Sequence, residues 1–210
     1  MTLEEGPLPA PASLCLVEEI SHRVVNEYAE AISSLRLAAA LVAGAPARDA
    51  LRSAADRLRA QAEAHRALLP PARGLVNLAD HVGRFCALLA TSTFSARGVR
   101  FAVEAEEIWL SDDRAWRLTL ILAELVRNAA RHGLAGGSGA ILVRVARDAG
   151  QIHCLVCDNG GAPCDPIPGR GSRLTHVLAA ELGGTVEWTF LPGGCLARLQ
   201  IPEGPSIASC

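Results

Sequence analysis

The most informative segment of this sequence is ELVRNAARHG, from Glu124 to Gly133. Glu124, Asn128 and His132 recur every four residues, so a helix would place them on one face, with Arg131 beside it. The positions on the opposite side are apolar, namely Leu118, Ile121, Leu122, Leu125 and Ala129. A carboxylate, an amide and a cation suit a binding site better than a core, because an amide oxygen can ligate Mg²⁺ and an arginine can pair with phosphate. A solvated helix face is the alternative that this stretch leaves open.

A second polar segment, VCDNGGAP, runs from Val156 to Pro163 at the end of a strand-like apolar run. The carboxylate of Asp158 can accept a hydrogen bond from an amino group such as that of adenine. Gly160 and Gly161 allow a positive φ and a close approach of the backbone to a ligand. A simple turn would have the same residues, so this segment alone does not distinguish the two interpretations.

A third segment, GRGSRL, opens a predicted helix with Gly169 and Gly171. Exposed backbone N–H groups at a glycine-rich helix start form an anion site. One G-x-G is weak evidence, but it gains weight after a strand that ends in Asp-Asn-Gly-Gly and a helix with a polar face.

The N-terminal third predicts two helices. Apolar residues recur at steps of three and four from Leu14 to Val42, and a second such pattern runs from Ala47 to Leu69. Gly44 suits the end of the first helix, and Pro46 suits the first turn of the next. A hairpin with one apolar stripe per helix cannot bury both sides, so we expect two hairpins to pair into a dimeric four-helix bundle.

Within the first helix lies ISHRVVNEYAEAISSL, from Ile20 to Leu35. His22 is followed directly by Arg23, and Asn26 lies one helical turn further on. A single histidine on a helix usually has no chemical role, so the meaning of His22 depends on the other segments.

The remainder predicts an α/β sandwich, so the fold class is α+β with one helical layer on a mixed sheet. PPARG, Pro70 to Gly74, indicates a boundary. The predicted segments are 1–13 as a flexible N-terminus, 14–70 as the hairpin, 75–202 as the sandwich and 203–210 as a tail. In the sandwich the predicted elements are a helix from Leu78 to Ala96, the strand VRFAVE, a helix from Asp112 to His132, the hairpin of AILVRVARD and QIHCLVCD, a helix from Ser172 to Leu182, and the strands TVEWTF and CLARLQIP.

Composition excludes several classes of function. Half of the 210 residues are hydrophobic and the net charge is −2, which does not favour nucleic-acid or membrane-surface binding. No apolar run reaches the length of a membrane span, and the N-terminus lacks the order of a secretion signal. Of the seven cysteines, Cys154 and Cys157 form a C-x-x-C, but on a strand they would point to opposite faces. Reduced thiols and a cytoplasmic location are expected.

The three segments, in this order, resemble the ATP-binding domain of the GHKL superfamily, which includes gyrase, MutL and the histidine kinases. ELVRNAARHG looks like the N box, DNGGAP like the first glycine box and GRGSRL like the second. The upstream EEISHRVVNEYAEAISSLRL is similar to the phosphoacceptor helix of sensor histidine kinases of the HWE and related branch, which carries H-R-V-x-N.

For the hairpin, this resemblance implies a homodimer in which His22 is the phosphoacceptor. Arg23 would steady the phosphoryl group, and Asn26 would orient water or a partner's carboxylate. The implied function is a two-component histidine kinase that passes the phosphoryl group from His22 to an aspartate of a response-regulator receiver domain.

For the sandwich, the resemblance implies ATP and Mg²⁺ as ligands. Glu124 and Asn128 would organise Mg²⁺, with Glu124 also acting in catalysis, and Arg131 would lie near the phosphates. Asp158 would bind adenine. Four glycines would shape the nucleotide pocket and its lid: Gly160, Gly161, Gly169 and Gly171.

Some positions depart from the family pattern and keep other functions open. Ala123 and Val156 replace the histidine and tryptophan for which the branch is named, and Arg170 replaces an apolar residue of the second glycine box. The predicted lid between Gly161 and Gly169 is short, and few residues precede the first helix, so we expect no sensor domain. The alternatives are a histidine phosphotransferase with a non-functional ATP site and a non-catalytic dimeric adaptor.

Overall fold

The computed structural model describes residues 12–69, 74–94, 98–135, 137–161 and 170–204; for 12–22, 92–93 and 170–171 it describes the backbone alone. The chain divides into two compact units, residues 1–69 and 70–210. Among the described residues, no helix combines the length and apolar character needed to cross a membrane.

The first unit is a hairpin of helices α1 (Ala12–Leu41) and α2 (Ala45–Arg66). Gly44 precedes α2 with a φ of 106°, in the left-handed region that favours glycine. The connection is short and the two helices pack against each other, with the rings of Tyr28 and His65 6.3 Å apart. The predicted helical hairpin is therefore confirmed.

The second unit contains two short strands that the sequence analysis did not predict. Strand β1 (Leu75–Asn77) pairs antiparallel with β3 (Trp109–Ser111). Each leads directly into a helix, β1 into α3 (Leu78–Leu89) and β3 into α4 (Asp112–Asn128). Asn77 caps α3, because its Oδ1 accepts from the amide of Ala79 at 3.0 Å. The pair therefore holds the starts of two helices together.

Five strands form the main sheet, in the order β2, β4, β5, β7, β6. They are β2 (Val99–Ala105), β4 (Gly139–Asp148), β5 (Gln151–Asp158), β6 (Thr185–Leu191) and β7 (Gly194–Pro202). β2 runs parallel to β4, and the other neighbours are antiparallel, so the predicted mixed sheet is confirmed. The predicted hairpin of β4 and β5 is also present, and Ala149 and Gly150 form its turn with φ angles of 47° and 75°.

One face of this sheet is covered by helices and forms the core. Along β5 the side chains alternate, so Ile152, Cys154, Val156 and Asp158 are buried while Cys157 lies on the opposite face. The two thiols of the C-x-x-C therefore point apart, as the strand period predicts. The largest fully buried side chains of this core include Phe85, Leu118, Ile121, Leu122, Leu125, Ile141, Ile152, Leu199 and Ile201.

Two helices end in π-helical turns that the sequence pattern did not predict. α3 stops at Leu89 and is followed by such a turn at Ala90–Phe94, and the predicted helix end at Ala96 lies outside the described residues. α4 is followed by a second turn at Ala129–Gly133, in which the amide of Leu134 donates to the carbonyl of Ala129 at 2.9 Å. π turns are rare and often occur at functional sites. The last helix of the unit is α5 (Arg170–Glu181).

Candidate functional site

The carboxylate of Asp158 is the centre of the site. Asp158 is the last residue of β5, and only 8% of its surface is exposed. Its Oδ1 accepts from the amide of Gly160 at 3.0 Å and from that of Cys195 at 3.3 Å. Backbone donors from two segments therefore fix one carboxylate oxygen, and the orientation of the other follows.

Three glycines make contacts around Asp158 that no side chain would permit, and one of them, Gly133, lies against the carboxylate itself. A Cβ on Gly133 would overlap both oxygens of Asp158, and one on Gly160 would overlap the carbonyl of Gly133. Gly194, with a φ of 144°, lies equally close to the carbonyl of Asp158. The π turn, the loop after β5 and the start of β7 thus meet around one residue, Asp158. The sequence analysis assigned no role to Gly133 or Gly194.

Gly160 and Gly161 differ in whether the packing around them excludes a side chain. Gly160 is needed for close packing against Gly133, whereas a Cβ added to Gly161 would have no heavy atom within 4 Å. Neither has the positive φ that the sequence analysis allowed for them. Asn159, which was not assigned, binds β4: its Oδ1 accepts from the amide of Ala140 at 2.7 Å. Packing and this side chain, rather than left-handed backbone, shape the loop.

The polar face of α4 carries Glu124 and Asn128, both half-buried. Oε2 of Glu124 lies 3.2 Å from Nη1 of Arg127, which is mostly exposed, so this ion pair contributes little to stability. Arg131 and His132 lie in the π turn, where His132 is exposed. Glu124 and Asn128, four residues apart in α4, share one helix face as predicted, and His132 follows four residues later in the π turn.

The donors fit Mg²⁺ only as part of a larger ligand set. Within the described ranges, no group of three or more His, Cys, Asp or Glu side chains could hold a metal ion. Mg²⁺ is commonly bound by one or two protein oxygens together with substrate phosphates and water. Asn128 and Glu124 could supply the protein oxygens of such a set.

The thiols near the site are protonated at neutral pH. Burial raises the pKa of Cys195 to about 11, and the charge of Asp158 adds to this effect. Burial also raises the pKa of Cys157, with Arg144 opposing the shift. The described cysteines are all free. Since the thiolate is the reactive form, these residues are not activated nucleophiles.

The predicted residues of the hairpin lie in α1, where the described side chains begin at Arg23. The imidazole of His22 is therefore outside the described part, while Arg23 and Asn26 are exposed. Gly169 and the predicted lid at 162–169 are also outside it, and Gly171 is described by its backbone alone, in the first turn of α5. The structure thus brings Asp158 and Gly160 together with Gly133 from the N-box-like segment.

Two family models match successive parts of the chain. Residues 19–93 match the model of a family described as histidine kinase, and residues 89–185 match a histidine kinase-like ATPase domain. Over residues 19–185 the chain is therefore similar to histidine kinases. The second match contains Asp158, Gly160, Gly133 and the polar face of α4, in agreement with the resemblance of these segments to a GHKL domain.

Curated relatives of this kinase-like chain carry kinase names. It is 29% identical over 178 residues to the sensor histidine kinase PdtaS of Mycobacterium tuberculosis, covering 81% of this chain and 36% of PdtaS. It is 28% identical over 201 residues to blue-light-activated histidine kinase 2 of Erythrobacter litoralis, covering 88% of this chain and 56% of that one. The chain therefore spans about a third of PdtaS and just over half of the blue-light kinase.

Solved structures confirm the fold. The histidine kinase domain of the Erythrobacter litoralis EL346 blue-light-activated kinase aligns with a TM-score of 0.59 and 22% identity, covering 84% of this chain and 95% of that one. A bacterial phosphotransferase aligns with a TM-score of 0.62 and 15% identity, covering 92% and 98%. The helical hairpin followed by a mixed-sheet α/β unit is thus a known arrangement.

Proposed function

We propose that the chain is an ATP-dependent protein-histidine kinase that phosphorylates its own His22 and passes the phosphoryl group to an aspartate of a response regulator. The observation that carries this proposal is the buried carboxylate of Asp158, held by the amides of Gly160 and Cys195 within an ATPase-like unit. A buried carboxylate with one oxygen fixed by backbone donors is an acceptor of defined direction for an amino group.

At the base end of the pocket, Asp158 would accept a hydrogen bond from the exocyclic amino group of adenine. The closeness of Gly133 and the amide donors of Gly160 and Cys195 support this role, because they restrict the orientation of the carboxylate. The protein thereby orients the nucleotide before any chemistry occurs, which is the main requirement of phosphoryl transfer.

At the phosphate end, Asn128 and Glu124 would organise Mg²⁺, and Arg131 would neutralise phosphate charge. Their placement at the end of α4 and in the π turn supports this assignment, because the same turn contacts Asp158 through Gly133. Gly169 and Gly171 would donate backbone N–H groups at the start of α5. ATP would supply the γ-phosphoryl group, and ADP would leave.

In the hairpin, a neutral imidazole of His22 would form the new N–P bond, since it is nucleophilic near pH 7. Arg23 would steady the phosphoryl oxygens, and Asn26 would orient water or the receiver's aspartate. The exposure of Arg23 and Asn26 supports a role toward a docking protein.

The hairpin is proposed to work as a homodimer. Leu37 and Leu41, one turn apart on α1, are 63% and 78% exposed. Large apolar side chains repeated on one helix face favour burial against another chain. A second hairpin would cover them and complete a four-helix bundle.

The direct test is incubation with γ-labelled ATP and Mg²⁺, followed by acid treatment. We expect acid-labile label that is lost in His22→Ala. His65→Ala is the matched control, because it removes a hairpin histidine outside the phosphoacceptor segment and should keep the label. Label that persists in His22→Ala would contradict the assigned acceptor, and no label at any protein concentration would contradict kinase activity.

One observation favours a second candidate, a histidine phosphotransferase whose ATP site is unused. The carboxylate of Glu124 is paired with Arg127, which competes with Mg²⁺ for the same oxygen. Calorimetric titration with ATP separates the two candidates: Mg²⁺-dependent binding supports the kinase. Phosphate transfer from a phosphorylated receiver domain to His22 without ATP binding supports the phosphotransferase.

A further inference from the structure

Strand β2 lies at one edge of the main sheet, and one hydrogen bond establishes the direction of its backbone groups. Among the described residues, its neighbour in the sheet is β4 alone. The amide of Glu106, the residue after β2, donates to the carbonyl of Val145 on β4 at 2.9 Å. Backbone groups alternate in direction along a strand, so those of the even-numbered residues face β4, whereas those of Phe101 and Val103 point to the free edge. Such an edge is a template for pairing with another chain.

The side chains of β2 have a charge pattern that suits a second copy of the same strand. Arg100 and Glu104 are exposed and lie at equal distances along the strand from Ala102, which is exposed as well. A charge on an edge strand usually deters pairing. When two copies of β2 run antiparallel about Ala102, however, Arg100 of each copy lies opposite Glu104 of the other, and opposite charges across a strand pair stabilise it.

The contacts that Glu104 makes within its own chain use one carboxylate oxygen. Oε2 of Glu104 accepts from Nε of Arg144 at 2.6 Å and also lies beside Nη2 of that arginine. Both side chains remain about half exposed. Because an ionised carboxylate has acceptor sites on both oxygens, Oε1 is the atom that would accept from Arg100 of a second copy.

The backbone and the side chains agree on one register. About Ala102, Phe101 lies opposite Val103 of the other copy, and the two exchange hydrogen bonds because both present their backbone groups to the free edge. Ala102 lies opposite Ala102 in a pair without hydrogen bonds, where Cα atoms are about 4.5 Å apart and small side chains fit well. Centring the pair on Arg100 or on Glu104 would instead place like charges opposite each other.

We propose that β2 is a docking surface for β2 of a second copy of this chain, so that two main sheets join into one through antiparallel edge strands. This surface is distinct from the exposed leucines of α1. A single strand pair is smaller than a standard stable interface. The proposed hairpin dimer would hold the second copy at a high effective concentration, at which such a pair can form, and to that extent the inference rests on the proposed homodimer.

The experiment is disulfide trapping in the full chain. Ala102→Cys would place two thiols opposite each other at a Cα separation that a disulfide can span. Diamide oxidises the two thiols to a disulfide, and mass spectrometry without reduction identifies a peptide pair that contains position 102 twice. Cys157 does not compete for the new thiol, because it lies two strands from Ala102, across Leu142.

The other edge strand provides the matched control. Thr189 is exposed on β6, and Glu187 is the one charged residue of that strand, so two copies of β6 bring no opposite charges together. We expect the symmetric peptide pair from Ala102→Cys to form in about tenfold or greater excess over that from Thr189→Cys, because effective concentration favours the paired edge. Thermal melting establishes that both variants are folded.

A charge reversal tests the register. In the Ala102→Cys protein, Arg100→Glu replaces both ion pairs by like-charge contacts and should lower the yield of the symmetric pair about threefold or more. Arg198→Glu makes the same change of charge at an exposed position of β7, away from the β2 edge, and should leave the yield unchanged.

Equal yields from Ala102→Cys and Thr189→Cys, in a protein that is dimeric by light scattering, would overturn the inference and leave the proposed homodimer intact. An unchanged yield in Arg100→Glu would contradict the register. A chain that is monomeric and forms no symmetric pair would contradict the homodimer and this inference together, so the two failures are distinguishable.

Discussion

Gly133 lies so close to Asp158 that a single added methyl group on Gly133 would overlap both carboxylate oxygens. Gly133 ends the π turn after α4, and Asp158 ends β5, so this contact joins the helix layer to the sheet. The position of the carboxylate is therefore set by the packing of a glycine as well as by its two hydrogen bonds.

Gly133→Ala should displace the Asp158 carboxylate. We expect an ATP affinity about tenfold or more below that of the wild type, with a lower melting temperature, because overpacking costs about 1–3 kcal/mol. Calorimetry and thermal melting measure the two effects.

Gly83→Ala is the control. Gly83 lies within α3, and a Cβ added there would have no heavy atom within 4 Å, so alanine should stabilise the protein by about 0.5–1 kcal/mol. Unchanged ATP binding in Gly133→Ala would show that the carboxylate can relocate.

Asp158→Asn should weaken ATP binding while preserving the fold. The amide oxygen can still accept from Gly160 and Cys195, but the NH₂ group would face the amino group of adenine. Loss of a hydrogen bond to a charged group, about 1.5–3 kcal/mol, corresponds to an affinity lower by roughly 10- to 150-fold by titration. Asp148→Asn, at the exposed end of β4, should bind like the wild type. Equal ATP affinity in both variants would contradict the proposed contact between Asp158 and adenine.

His81 should make stability depend on pH. It is buried in α3, and its Nε2 has no hydrogen-bond partner among the described residues. Burial, and secondarily the charge of Arg84, lower the pKa of His81 in the folded state. The unfolded chain therefore binds more protons below the ordinary pKa of about 6.5, and stability falls as the pH drops through that value.

His81→Leu removes this contribution. We expect the free energy of unfolding to decrease less between pH 7.5 and pH 5.5 in the variant than in the wild type, measured by urea denaturation at both pH values. Leucine also replaces an unpaired polar atom in an apolar site, so the variant should be at least as stable as the wild type at pH 7.5. An identical pH dependence in both proteins would show that His81 does not titrate on unfolding.

The exposed leucines of α1 should control oligomeric state. Replacing both Leu37 and Leu41 by glutamate places charges on a face that we propose is buried in a dimer, where unpaired charges are costly. Light scattering should give a dimer for the wild type and a monomer for the double variant. Leu191→Glu, 55% exposed in the other unit, should remain dimeric. A monomeric wild type would contradict the proposed assembly.

The long elements could be predicted from the sequence because their periodicity extends over many residues. The stripes of α1 and α2 and the alternation of β4 and β5 are examples. β1 and β3 could not be predicted, because three residues carry too little pattern and their pairing depends on contacts between distant segments.

Asp158 and Gly160, at the centre of the candidate site, could be singled out from the sequence, but the residues that pack around them could not. Asp158 and Gly160 stand out because a carboxylate and a glycine follow an apolar strand. The roles of Gly133, Gly194 and Cys195 depend on which segments meet in space, and no local pattern contains that information. A π turn likewise results from packing at the end of α4 rather than from residue preference. One signal was present, since Gly133 directly follows the residues of the polar helix face.

The pairing of β1 with β3 also has a mechanical consequence. Gly74 accepts a hydrogen bond from the amide of Asp112 at 2.9 Å, and Leu75 pairs with Ser111. Tension along the backbone just before β1 would therefore reach the first turn of α4, and a rigid helix would transmit it to Asn128 at its far end. A few backbone hydrogen bonds thus connect Gly74, directly before β1, through α4 to the helix end where we propose that magnesium binds.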